Sequence, residues 1–414
     1  MKQIISIILT LAMGIVCLSA CGMGNDVDLM QGITPNAHED AQLSQVDNTA
    51  VADFAVRLFH AGLSSEENTL ISPLSVLVAV SMTANGAESE TLSQMEAVLG
   101  MPIAELNAWI RTYTEQLPES EKYKLSLANG IWFKDHDSFT VNEAFLQTNA
   151  DYYGAGIYAA PFDASTCREI NDWVEEKTDG MIKDILDDIP ESAVMYLVNA
   201  LAFDAEWQNI YEKNQIRTSI FTTEDGEQRE VEMMYADENR YLEDDSASGF
   251  IKYYRDGKYA FVALLPNEGI SVADYAASLT GSHLQELLGG AQYVTVETAL
   301  PKFESEYSTD MREILREMGM VDAFDEHNAD FSGLGYSIDG NLFISRVLHK
   351  TYIAVDGKGT RAGAATVVEV DGERGAAEPD NLRRVYLDRP FVYMLIDCQT
   401  NLPFFMGTVM DTGK

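Results

Sequence analysis

The chain has 414 residues, 46% of them hydrophobic and 23% charged, so it holds enough apolar material for a large core and is not a disordered polyelectrolyte. Its 66 acidic and 28 basic residues leave a net charge of −38. That balance argues against nucleic acid and heparin-like polyanions as partners, since both need clustered Lys and Arg, and it reads as a self-repelling, soluble surface.

Lys2 opens the chain and an apolar run from Ile4 to Leu18 follows, broken only by Ser6, Thr10 and Gly14. The run is short for a membrane span and reads as a signal segment, residues 1–20. Leu18-Ser19-Ala20-Cys21 resembles a bacterial lipoprotein signal, in which the Cys21 thiol takes a diacylglycerol before cleavage after Ala20. The expectation is a secreted protein held to the cell-envelope surface by lipid on Cys21; an ordinary secretory signal with an incidental cysteine is the alternative. Residues 21–46, with Gly22, Gly24, Gly32 and Pro35, read as a flexible tether. Of the four cysteines, Cys17 leaves with the signal, and Cys167 and Cys398 stand far apart in no ligand cluster. They read as thiols rather than a bridge or a metal site.

Val51, Phe54, Ala55, Leu58 and Phe59 form the first amphipathic helical stripe. From there no linker, repeat or low-complexity run interrupts the chain, which predicts one domain over 47–414. Helical spacing recurs at 74–85, 91–99, 104–116, 168–178 and 309–318. Strand-like runs fall at 126–133, 194–203, 259–265, 294–298, 342–347, 391–397 and 403–410. The two periods do not alternate strictly, so the pattern predicts an α+β fold rather than a doubly wound parallel sheet. Turn residues Gln399, Thr400 and Asn401 between the last two runs predict a buried hairpin.

Motifs for catalysis are missing. No nucleophile elbow, phosphate loop, dinucleotide fingerprint or zinc helix occurs, and no two of the six histidines have helical ligand spacing. Asp325, Asn328 and Asp330 start like a calcium loop, but Asp330 and Tyr336 stand where that loop needs Gly and Glu. The expectation is a protein that is not an enzyme and needs no cofactor or metal.

One segment stands out, from Gly357 to Asp380. Thr360, Ala362, Ala364, Thr366, Val368 and Val370 are uncharged, while Arg361, Glu369 and Asp371 fall on the other parity. A strand made of it has one face fit for a core and one for water. On its own the segment also fits a loop followed by a short surface strand.

The stretch GKGTRAGAATVV, ahead of DRPFVYMLID and FFMGTV, resembles the hinge and reactive loop of the serpins. The likeness runs from about Phe54 to the end. It includes Ile71-Ser-Pro-Leu-Ser75 with Asn85-Gly-Ala, Leu127-Ala-Asn-Gly-Ile-Trp-Phe133, Ile170-Asn-Asp-Trp-Val174, Val198-Asn-Ala-Leu-Ala-Phe203 with Trp207, Leu300-Pro-Lys-Phe303 and His349-Lys350. The resemblance implies a serpin fold, α+β with three β-sheets, about eight to nine helices and an exposed reactive-centre loop at about 357–385.

It also implies a suicide inhibitor of serine proteases. The protease cuts the loop and forms an acyl-enzyme, and the cut loop then enters the main sheet as a new strand, distorting the protease. A non-inhibitory serpin-like surface binding protein is the alternative, and a monomer is expected in either case. By the family pattern Ser72, Ser75, Asn199 and His349 form a polar shutter, and Trp207 marks the breach where insertion starts. The hinge comprises Gly357, Gly359, Thr360, Arg361, Ala362, Gly363, Ala364, Ala365 and Thr366. Gly357 and Arg361 stand where the family usually has Glu, and Gly363 where it has Ala. Neither proline nor a charge faces inward, but the lost breach carboxylate bears on the uncleaved form.

Counting fourteen positions from Gly359 puts the scissile bond after Glu373, for a glutamyl-specific protease. Cleavage between Arg374 and Gly375 would suit a trypsin-like enzyme, whose pocket carboxylate pairs with arginine. Ala376 or Ala377 would suit an elastase-like pocket, in third place.

Overall fold

The computed structural model describes residues 26–36, 48–117, 123–135, 139–337, 340–360 and 382–413. In chain order these form β1 (Val27–Asp28), α1 (Asn48–Ala61), β2 (Thr69–Ile71), α2 (Pro73–Ala84), α3 (Ser89–Leu99), α4 (Ile103–Glu115), β3 (Tyr123–Lys134), β4 (Phe139–Val141), α5 (Glu143–Tyr152), β5 (Gly156–Ala160) and α6 (Ala164–Lys177). The middle of the chain supplies β6 (Met195–Glu206), β7 (Ile216–Thr222), β8 (Gln228–Glu238), β9 (Tyr241–Glu243), β10 (Ala247–Tyr253), β11 (Tyr259–Pro266), α7 (Val272–Ser278) and α8 (Gly281–Gly289). The rest is β12 (Thr295–Pro301), β13 (Phe303–Asp310), α9 (Arg312–Glu317), β14 (Gly335–Ser337), β15 (Arg346–Val355), β16 (Gly359–Thr360), β17 (Leu382–Tyr386), β18 (Phe391–Asp397) and β19 (Leu402–Val409).

Three sheets and a short β14–β4 ribbon organise these elements. The large sheet has the order β1-β5-β3-β6-β16-β15-β13, a second runs β2-β19-β18-β11-β10-β9, and a third runs β17-β12-β8-β7. The main core lies between the large and second sheets, where Leu197, Leu201 and Phe203 of β6 meet Phe261, Tyr393 and Phe404. Tyr196, Val198 and Ala200 face the other way, under Ile170 and Val174 of α6. The opposite face of the second sheet is covered by Phe59 of α1, Tyr275 of α7 and Leu284 of α8. Every residue of α2 is buried, because this helix is driven through the centre; Ser72 caps it by accepting from Ser75 N, and Pro73 starts it without a wasted donor.

The C-terminal runs pair as the expected hairpin, β18 against β19. Two boundaries differ. The run 309–318 divides: Thr309 and Asp310 stay in β13, paired with His349 and Leu348, and Asp310 Oδ1 accepts from Arg312 N where α9 begins. The run 342–347 is mostly not strand; Leu342 and Ile344 are buried from an irregular segment, and β15 starts only at Arg346. Alternating burial without a ladder partner imitates a strand in sequence.

Part of the supposed tether is seated. β1 pairs antiparallel with β5 at the edge of the large sheet, and Asn36 donates through its backbone and side-chain N–H to Asp151 of α5. The loop expected over about 357–385 meets a strand before its end, since Leu382 to Tyr386 already form β17, parallel to β12. Cys167 and Cys398 are free thiols, the first buried and the second half-buried. Among the described residues no helix is long and apolar enough to cross a membrane, and no cluster of three or more His, Cys, Asp or Glu could hold a metal ion.

Candidate functional site

The centre of the large sheet is where the expected shutter residues meet. β6 and β15 are parallel neighbours from Tyr196–Arg346 to Ala200–Lys350, so Asn199 lies directly beside His349. Asn199 donates to the Ser75 carbonyl at 2.6 Å and to Asn129 Oδ1 at 2.5 Å, while its own oxygen accepts from the Ser75 hydroxyl. His349 Nε2 accepts from Ser72 N at 3.2 Å. That contact requires a neutral ring with its proton on Nδ1. Burial enforces the neutral form and pulls the His349 pKa down to about 3. The network ties α2 to both strands by side chains rather than by a ladder. Asn129 was read only as part of a strand; it is a fifth member of this group, facing Asn199 across β3 and β6.

Above Ala200 and Lys350 the parallel ladder ends, and at the top the hinge lies between the two strands. β16 is antiparallel to both neighbours: Thr360 pairs with Ala205 on one side and Val355 on the other, and Gly359 pairs with Glu206. A tight turn from Asp356 to Gly359 makes this possible. Its carboxylate Oδ1 accepts from Lys358 N at 2.7 Å and Gly359 N at 3.1 Å, and Asp356 N donates to the Gly359 carbonyl at 3.0 Å. Gly359 must be glycine, because a Cβ there would lie 2.0 Å from the Ala205 carbonyl oxygen. Thr360 is 1% exposed, its hydroxyl bonded to that of Tyr254.

Trp207, the expected breach residue, packs against the turn that leads into β16. Its backbone N donates to the Lys358 carbonyl at 2.8 Å and its indole N–H to the Asp356 carbonyl at 2.8 Å. Tyr254 stacks on it with ring centroids 4.4 Å apart. Tyr211 N holds the Gly357 carbonyl at 2.7 Å. Where the family's carboxylate is missing, a Cβ at Gly357 would come within 2.9 Å of Ile216 Cδ1, the movable end of a half-buried side chain. The breach is charged in another way: buried Lys252 bonds Glu238 at 2.6 Å and lies 4.3 Å from the Tyr211 ring centre. Tyr254, Tyr211 and Asp356 were missed in the sequence. Only Asp356 carried a signal, an Asp two residues ahead of glycine-rich backbone N–H groups.

Arg361, Ala362, Gly363, Ala364, Ala365 and Thr366 of the hinge, the candidate bond residues Glu373, Arg374, Gly375, Ala376 and Ala377, and Cys21 lie outside the described residues. Nothing in the described site pairs a nucleophile with a base. Its chemistry is that of a sheet held together at its centre and already parted at one end.

Comparison with known proteins agrees with this geometry. The structure superposes on the native state of the thermophilic serpin tengpin with a TM-score of 0.88 and 47% identity, covering 93% of this chain and 99% of that one. Against the latent state of tengpin the TM-score is 0.79 at 44% identity, over 92% and 100% of the two chains. An uncharacterized serpin-like protein of Thermococcus kodakarensis is 29% identical over 87% of this chain and 85% of its own length. The family model for serpin (serine protease inhibitor) matches residues 49–412, and the chain belongs to that family.

Proposed function

We propose that this protein is a suicide inhibitor of serine proteases, working as a monomer held to the cell-envelope surface by lipid on Cys21. One observation carries the reading: Gly359 and Thr360 form a two-residue antiparallel strand between β6 and β15. Continued downward, that register sets Arg361 beside Asp204, Thr366 between Asn199 and His349, and Glu369 between Tyr196 and Arg346. Even-numbered side chains then follow Thr360 toward the main core, and odd-numbered ones lie on the α6 face. A parallel ladder of five residue pairs gives way to two antiparallel ones, the more stable pairing per residue. Ala362, Gly363, Ala364 and Ala365 lead the way with little side chain to pass.

The strands also bear on the bait. β6 and β15 begin at Met195 and Arg346, partners in this register for residues 370 and 369. A protease acylated at Glu373 or Arg374 would be drawn to the foot of the sheet, while one at Ala376 or Ala377 would trail on a longer arm.

The test is a panel of trypsin-like, glutamyl-specific and elastase-like serine proteases, with the released loop fragment sequenced. A complex that survives hot detergent supports inhibition, and clean cleavage by every enzyme sinks it. Arg374→Ala separates the first two bonds: loss of trypsin trapping assigns Arg374, and retained trapping of a glutamyl-specific enzyme assigns Glu373.

A further inference from the structure

Where β1 meets the body, two carboxyl groups face each other. Asp26, the residue before β1, accepts from the Trp132 indole N–H at 2.9 Å through Oδ2, while its Oδ1 is buried with no donor facing it, beside the Glu169 carboxyl of α6. One carboxyl can bond another only if a proton lies between them. Beneath them is an aromatic platform. Trp132 stacks on Tyr158 at 4.7 Å and meets Trp173 edge-on at 5.0 Å, and Trp173 donates to the Tyr158 hydroxyl at 3.0 Å. Asp26 thus touches β3 and α6 while β1 pairs with β5, joining the leading segment to three separate elements of the body.

We propose that this contact is a proton-operated latch: β1 stays on the sheet while Asp26 and Glu169 share a proton, and leaves it when that proton is lost. The remaining groups strengthen the effect. The other charge acting on Asp26 is Asp163 at the start of α6, and Asp28 and Glu176 bear on the neighbouring Tyr158. All are acidic. Burial, then Glu169, raise the Asp26 pKa to about 7, against 3.8 for the free group. A carboxyl raised in the docked state favours docking at low pH, and the advantage falls away as pH climbs toward 7.

The consequence rests on the proposed lipid at Cys21. With β1 docked, five residue steps separate Cys21 from Asp26, a reach of at most about 17 Å. With β1 free and Asn36 still held by Asp151, the steps from Cys21 number 15, a reach of up to about 50 Å. The body would stand close to the membrane in acid and range outward at neutral pH and above.

Amide hydrogen exchange tests the latch without any protease, so its outcome is independent of inhibition. With intrinsic rates corrected for pH, protection of residues 27–33 should fall roughly tenfold between pH 5.5 and 8. Asp26→Asn, which bonds Glu169 without a titrating proton, and Glu169→Gln should keep β1 protected at both pH values. Equal protection of the wild type at both pH values overturns the latch. So does a pH step surviving in both variants, or an Asp26→Asn chain unprotected throughout.

Discussion

Thr360 and Tyr254 share a hydrogen bond between their hydroxyls inside the molecule, with Tyr254 in turn stacked on Trp207. A residue placed by sequence in the hinge is therefore a core residue of the uncleaved protein. Its polar atom is satisfied, as a buried hydroxyl must be.

Replacing Thr360 by Arg forces a charge into this position. The expected cost to seating the hinge is several kcal/mol. The variant should be cut by the target protease yet form little detergent-stable complex. The number of inhibitor molecules consumed per protease trapped, measured by titration, should rise at least severalfold. Trapping at the wild-type ratio would show that Thr360 does not face inward during insertion.

The register of the inserted strand makes a charge prediction. Arg361, the departure from the family pattern, would lie beside Asp204. Opposite charges across strands contribute roughly 0.2–1 kcal/mol and like charges oppose pairing. Cleavage of the wild-type loop should raise the thermal midpoint, aided by burial of Val368 and Val370 at roughly 1.5–3 kcal/mol each. Asp204→Arg should diminish that rise, and adding Arg361→Asp should restore it. Calorimetry of cut and uncut proteins measures both; a double variant no better than the single one refutes the register.

His349 should make the uncleaved protein sensitive to acid. Its ring is neutral when folded, with a pKa near 3, whereas the free side chain takes a proton near 6.5. Below pH 6.5 the unfolded chain gains a proton the folded one refuses, so stability falls as pH drops and the loss is complete near 3. Between pH 6.5 and 5 the loss amounts to about 2 kcal/mol. Denaturant unfolding of wild type and His349→Gln across that interval should show this slope only in the wild type.

Cys21→Ser should move the protein from the membrane fraction to the medium. Metabolic labelling with a radioactive fatty acid should mark the wild type alone. An unchanged membrane fraction would leave an ordinary signal with an incidental cysteine as the better account.

Much of this was legible before the structure. Ser72, Ser75, Asn199 and His349 were legible through the family resemblance, and they meet in the core by bonding one another, as buried polar residues must. The C-terminal hairpin followed from two apolar runs around a turn. Other parts left no mark. β17 buries one residue, Val385, among exposed neighbours, so its alternation is too weak to read. Tyr254 is one of two adjacent tyrosines, and nothing local says which one turns inward to Trp207. β1 is two residues long and exposed, defined by its partner strand and by Asp26 rather than by any pattern of its own.

The seating of Gly359–Thr360 also sets how far an intact loop could travel. The small sheet adjoins the top of the large one, with Ile216 of β7 beside Gly357, and the loop returns into that sheet at Leu382. Inserting residues 360–370 would carry the chain about 33 Å down the sheet. The twelve steps from 370 back to Leu382 span at most about 43 Å when fully stretched. That return would have to run nearly straight along the whole face and still cross sideways to β17. Chain length thus acts as a restraint: uncut, the strand can start but is leashed from its far end. On the proposed mechanism, hydrolysis of a single peptide bond would remove the leash without altering any contact already made.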